Sequence, residues 1–210
     1  MVETTEERGI PIRDKALMRR DKIVSAARRL FIANGFHATG VAQIAKESGI
    51  AVGQIYRDFS SKEAIVAEIV QADCVDFLAP ESLRRGIESG DAEFVWGWLG
   101  DFIRPEANES DPLFAEIVAE SGRNARIAAI FEGTREDVRG AMLAALAALV
   151  PGEALAERRC ALADLITATA LGLMQHRFLS PAEETDRAAA LVLKMIRTEI
   201  AAMRAEAVAD

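Results

Sequence analysis

Residues 39–62 read TGVAQIAKESGIAVGQIYRDFSSK, and the fold class follows from them. Val41, Ile44 and Ala45 recur at helical spacing, and Thr39 ahead of them carries a hydroxyl suited to cap the first amides of a helix. Gly49 stops that helix, and Gly53, Ile55 and Phe59 resume the pattern a few residues later. Two short helices around a tight turn make a helix-turn-helix, whose second helix enters the major groove with its early side chains towards base edges. Val52, Gln54 and Arg57 occupy those places.

Any two amphipathic helices joined by a glycine share this pattern, so the flanks decide. Upstream, RRDKIVSAARRLFIANGF places Ile23, Ala27, Leu30 and Phe31 on one face and ends at Gly35, supplying the third helix that a small core needs. Downstream, SSKE reads as a capping box between Ser60 and Glu63. Lys62 sits in that first turn, where a cation opposes the helix dipole, and a DNA phosphate at the same helix end would account for it.

These residues resemble the tetracycline-repressor (TetR) family of bacterial transcriptional regulators. The family's N-terminal pattern is matched by Ala26, Ala27, Leu30, Phe31, Gly35, Thr39, Ile44, Ala45, Gly49, Gly53, Tyr56, Phe59, Lys62 and Glu63. Ala51 departs from it, standing where a serine or threonine usually opens the second helix, which removes a cap and a phosphate contact. The resemblance is detailed over residues 20–70. It implies an all-α fold, with an N-terminal three-helix helix-turn-helix DNA-binding domain and a C-terminal helical domain for effector binding and dimerisation. The expected organisation is a flexible arm over residues 1–18, the DNA-binding domain over 19–65 and the second domain over 66–210. A repressor of this kind binds a pseudopalindromic operator in double-stranded DNA as a homodimer, and a small-molecule effector releases it. Gln54 and Arg57 are expected to read bases, and Thr39, Tyr56 and Lys62 to hold phosphates; Gln43, Val52 and Gly53 complete the expected DNA-binding set.

The charge distribution agrees. The net charge of −8 is uneven: residues 1–62 hold 11 Lys and Arg against 7 Asp and Glu, a net of +4, which leaves −12 for residues 63–210. A basic head on an acidic body suits a nucleic-acid reader with a separate second module. The acidic body favours a neutral or cationic effector over an anion. Alanine, leucine, glutamate and arginine dominate, and an all-helical chain is expected from composition alone.

Cys74 and Cys160 lie within apolar helical patterns and read as buried free thiols. The polar start MVETTEERG is no secretory signal, and the apolar run over residues 141–150 is too short to span a bilayer, so a cytoplasmic location is expected. Single, scattered histidines and cysteines give no metal spacing, and no nucleophile–base set or phosphate loop is visible. No cofactor and no enzymatic activity are expected.

Along the rest of the chain, residues 1–18 lack periodicity and turn from acidic to basic at Arg13, Lys15, Arg19 and Arg20, which reads either as a mobile tail or as a basic arm on DNA. A helix from Ser61 to Pro80 spans about 25 Å as a rod between head and body. Asp91 can cap a following helix, Asp111-Pro112 opens another, and further helices are expected over about 124–150, 153–178 and from Ser180-Pro181 to about Ala207. Those last two are apolar over too much of their surface. Leu191 and Met195 with Val192, Ile196, Ile200 and Met203 cover about half the circumference of one, and Leu162, Leu165, Ile166 and Leu173 line the other, so the pair forms either a four-helix dimer interface or a core within one subunit. Trp96 and Trp98 lie about 200° apart and cannot both enter one core. Trp96, Phe102, Phe114, Met174 and His176 are the expected effector contacts, with core packing and helix-end capping as their plainer roles. A DNA-bound adaptor that acts through a protein partner, without a ligand, is the alternative function.

Overall fold

The computed structural model describes residues 12–104 and 107–209, and these form α-helices joined by short turns. In order they are α1 (Ile12–Asn34), α2 (Val41–Ser48), α3 (Val52–Asp58), α4 (Lys62–Leu78), α5 (Pro80–Glu88), α6 (Ala92–Ile103), α7 (Asp111–Ser121), α8 (Ala125–Leu149), α9 (Ala156–His176) and α10 (Ala182–Ala209). Side-chain caps open α4, α6 and α8. Asp91 accepts from the Phe94 amide at 2.9 Å, and Asn124 accepts from Arg126 and Ile127 at 3.1 and 3.4 Å.

Three local expectations need correction. Ser61, not Ser60, caps α4, accepting from the Ala64 amide at 3.2 Å, so no box with Glu63 forms. Glu153–Leu155 is a separate 3-10 turn ahead of α9, because Gly152 takes φ 111 and breaks the run. Residues 12–18, read as part of an arm, are the first turns of α1; Lys15, Ala16, Leu17 and Met18 are strong helix formers and need no buried stripe. Residues 1–11 of the expected arm lie outside the described residues.

The hydrophobic interior falls into two clusters, and α4 runs through both. In the first, Ile23, Phe31, Phe36, Ile44, Ile55 and Phe59 of the head pack with Ile65, Val66, Ile69 and Val70 of α4, and Leu113, Ile117 and Ile127 close it from α7 and α8. A three-helix domain of this size buries too little apolar surface to be firmly stable alone, and the body supplies the remainder. In the second cluster, Leu78, Leu99, Ile103, Met142, Leu146, Ile166, Ile200 and Met203 pack among α4, α6, α8, α9 and α10. The two tryptophans part as their angular separation requires: Trp98 is buried and donates to the Leu78 carbonyl at 2.8 Å, while Trp96 is half-buried beneath Arg197, 5.3 Å from its ring. Cys74 and Cys160 are free but half-buried rather than buried as expected, and partial burial pushes the Cys74 thiol up to about 11. Among the described residues no helix is long and apolar enough to cross a membrane.

Candidate nucleic-acid interface

The turn between α2 and α3 forms as the sequence pattern requires. Gly49 adopts φ 70, a left-handed conformation that glycine takes without steric cost, and the chain re-enters a helix after Ala51. Ile44 and Ile55 are buried from opposite sides of this turn, which fixes the outward face of α3. Val52, Gly53, Tyr56 and Arg57 are exposed on that face, and Gln54 is half-exposed. Arg57 and Gln54 lie within 3.5 Å of each other, a contact too long to hold either side chain firmly. Both side chains are therefore only loosely held on that face.

Electrostatics anchor the opposite side of α3. Arg19 of α1 grips Asp58 with two hydrogen bonds of 2.6 and 2.9 Å, and its guanidinium holds the Asp58 carboxyl below the usual carboxylate range. Arg20 donates to the Asp58 carbonyl at 2.5 Å, pairs with Glu68 and lies over the Phe59 ring. Arg19 and Arg20, read from the sequence either as part of a mobile tail or as a basic arm on DNA, instead brace α3. No local spacing reveals this clamp, since Arg19 and Asp58 are 39 residues apart.

Two of the expected phosphate contacts also have inward roles. Thr39 is fully buried and donates to the carbonyls of Leu30 and Gly35, and the residue that precedes α2 as its cap is Gly40. Its hydroxyl serves the joint between α1 and α2 and is not available to a phosphate. Lys62 donates to the carbonyls of Phe36 and Thr39 at 2.7 and 3.0 Å, with the Phe36 ring 4.2 Å away. Its charge at the start of α4 is thus explained within the chain. We expect Lys62→Ala to leave two carbonyls without their donor and to destabilise the protein by about 1–3 kcal/mol in chemical denaturation. An unchanged midpoint, with weaker DNA binding alone, would show that the ammonium serves DNA and not the fold. Gln43 uses its carbonyl oxygen to accept from the Gly40 amide at 2.6 Å and is exposed at the start of α2. Tyr56, half-exposed on α3, is the expected phosphate contact that remains unobstructed.

A second joint ties this head to the body. Glu116 of α7 accepts from the Phe36 amide with both oxygens at 3.0 and 2.9 Å, and Glu120 lies 2.9 Å from the His37 ring. His37 and Arg123 together hold the Glu120 carboxyl below its ordinary range. His37 is therefore part of a contact that crosses from head to body.

The expected effector residues do not converge. Phe114 packs edge-on against Phe131 at 5.6 Å beside the head cluster, because α7 docks under α1. His176 holds the turn between α9 and α10, 2.9 Å from Thr185 and 3.2 Å from Ser180. Met174 lies half-buried two residues before it on α9. Phe102 and Trp96 line two adjoining openings on α6.

Known proteins resemble both parts of the chain. The profile of the family described as "Bacterial regulatory proteins, tetR family" matches residues 23–69. The transcriptional regulator UidR of Escherichia coli K12 is 35% identical over 115 residues, covering 54% of this chain and 57% of that protein. The chain thus spans just over half the length of the curated relatives it matches first. Among solved structures, Salmonella enterica GusR superposes with a TM-score of 0.67 at 25% identity, covering 88% of this chain and 96% of its own. A SmeT–triclosan complex shares the fold with a TM-score of 0.67 at 20% identity, covering 85% and 90%.

Proposed function

This chain belongs to the tetR family of bacterial regulatory proteins, and from that membership we propose that the protein is a repressor that binds a pseudopalindromic DNA operator as a homodimer and is released by a small-molecule effector. The outward face of α3 carries this reading, because it presents Gln54 and Arg57 side by side on a helix braced from behind by Arg19 and Arg20. A side chain held on a rigid scaffold loses little freedom on binding and discriminates bases better.

Dimerisation is supported by α9 and α10. Ile166, Ile196, Ile200 and Met203 are buried within the chain, yet Leu165, Leu191 and Met195 stay 61, 59 and 61% exposed. One half of the over-wide stripe packs inward, and the exposed half supports a contact with a second copy. Effector response is supported by the SmeT complex with triclosan, a property of that protein which we extend to this one by fold alone.

The adaptor reading draws on a different observation. Leu99, Met142, Ala145 and Leu146 are wholly buried, so the centre of the body is filled by its own side chains. Selection of binders from random DNA duplexes tests the repressor reading. The expected product is a two-fold repeat whose half-sites lie about one helical turn apart. Enrichment of no sequence contradicts it, and an enriched site from which no small molecule displaces the protein favours the adaptor.

A further inference from the structure

The end of α4 and one side of α6 enclose a cleft of about 280 Å³ with aromatic walls. Phe77 and Phe102 meet with ring centroids 5.4 Å apart, and Trp98 stacks on Phe102 at 5.7 Å. The Phe94 ring lies so close to α5 that a Cβ on Gly86 would collide with it, so this wall is held in place. Trp98 already spends its N–H on Leu78 and has no donor left for a ligand. Phe77 and Phe94 nonetheless remain 43 and 39% exposed.

Asp101 is the charged residue of the lining. It is exposed and, among the described residues, forms no ion pair and no side-chain hydrogen bond. Arg104 and Arg197 line the adjoining groove together with Asp101, and neither comes within ion-pair distance of it. Ala79 lies at the base of the cleft with φ 42, the one non-glycine residue of positive φ among those described. Backbone strain of this kind concentrates at sites with a purpose beyond folding.

We propose that this cleft binds a hydrophobic organic cation. Aromatic faces attract cations through the ring quadrupole, a free carboxylate adds a counter-charge, and the surplus of 12 negative charges on residues 63–210 raises the local concentration of cations. An anion would meet Asp101 within the cleft itself, since Arg104 and Arg197 line the adjoining groove and not the aromatic walls. Phe77 and Ala79 belong to the end of α4, whose other end packs Ile65 and Val66 into the head, so a ligand here touches the rod that joins the two. This inference rests on the effector reading above and names its chemical class.

The test titrates the full-length protein with phenylpropyl-trimethylammonium and with its uncharged tert-butyl isostere, following heat and tryptophan fluorescence. The cation should bind at least about 10-fold more tightly. Asp101→Asn, an isosteric change at an exposed position, should erase that preference. Gly97→Leu should abolish binding of both compounds, since Gly97 lines the cleft and a Cβ there meets nothing within 4 Å, which lets the side chain occupy the space without a clash. Equal binding of cation and isostere, indifference to Asp101→Asn, or no binding at millimolar concentration overturns the proposal. Binding as expected with operator affinity unchanged supports the site and overturns its role as an effector site, whereas release of DNA by some other compound, with the cation inert, overturns the site and leaves the effector reading standing.

Discussion

Leu165→Glu is expected to turn the proposed dimer into a monomer and to lower operator affinity by about 10²–10⁴-fold. Leu165 is 61% exposed on α9, beside the buried Leu162 and Ile166, so a glutamate at this position keeps its water shell in a single copy and costs the fold little. Across a dimer interface the same charge is buried without a partner, and a buried unpaired charge is among the most destabilising changes known. Two heads held on one dimer bind the second half-site at a high effective concentration, and a monomer forfeits that advantage. Leu191→Glu on α10 should act in the same way, which separates an interface effect from a local one. Sedimentation of the purified variants, with circular dichroism to verify helicity, checks this. A wild-type monomer at micromolar concentration, or a Leu165→Glu dimer with full affinity, removes α9 and α10 from the interface.

Arg57→Ala should have the next largest effect. The side chain is exposed and its contact with Gln54 is at the limit of a hydrogen bond, so its removal leaves stability nearly unchanged. Each half-site should nonetheless lose about 1–3 kcal/mol, the value of one good contact to a base edge. A dimer carries the substitution twice. Arg19→Ala is its structural counterpart, since it frees Asp58 and loosens α3 as a whole without touching the reading face.

The hairpin was legible in the sequence because its determinants are local. Gly49 at a left-handed turn, Ile44 and Ile55 facing inward, and Val52, Tyr56 and Arg57 facing outward all follow from helical spacing within one short stretch. The cap at Asp91 was legible for the same reason. Contacts between distant segments were not. The Arg19–Asp58 clamp and the grip of Glu116 on the Phe36 amide join residues 39 and 80 positions apart, and nothing in their neighbourhoods marks the partner. Thr39 and Lys62 show a subtler limit, for a hydroxyl or an ammonium beside a helix start can face a phosphate or a backbone carbonyl, and only the path of the α1–α2 turn selects the second. The aromatic cluster misled in a similar way: Phe102 and Phe114 are close in sequence, yet α7 carries Phe114 away to the head.

The central claim is that α3 reads bases while the rest of the head positions it. Its most direct test titrates wild type and Arg57→Ala against the selected operator and against an unrelated duplex of equal length over a series of salt concentrations. The account predicts that Arg57→Ala loses about 1–3 kcal/mol per half-site on the operator and far less on the unrelated duplex, so that the specificity ratio collapses while the salt dependence changes little. An equal loss on both duplexes, with the ratio preserved, would contradict it and place Arg57 on the phosphate backbone.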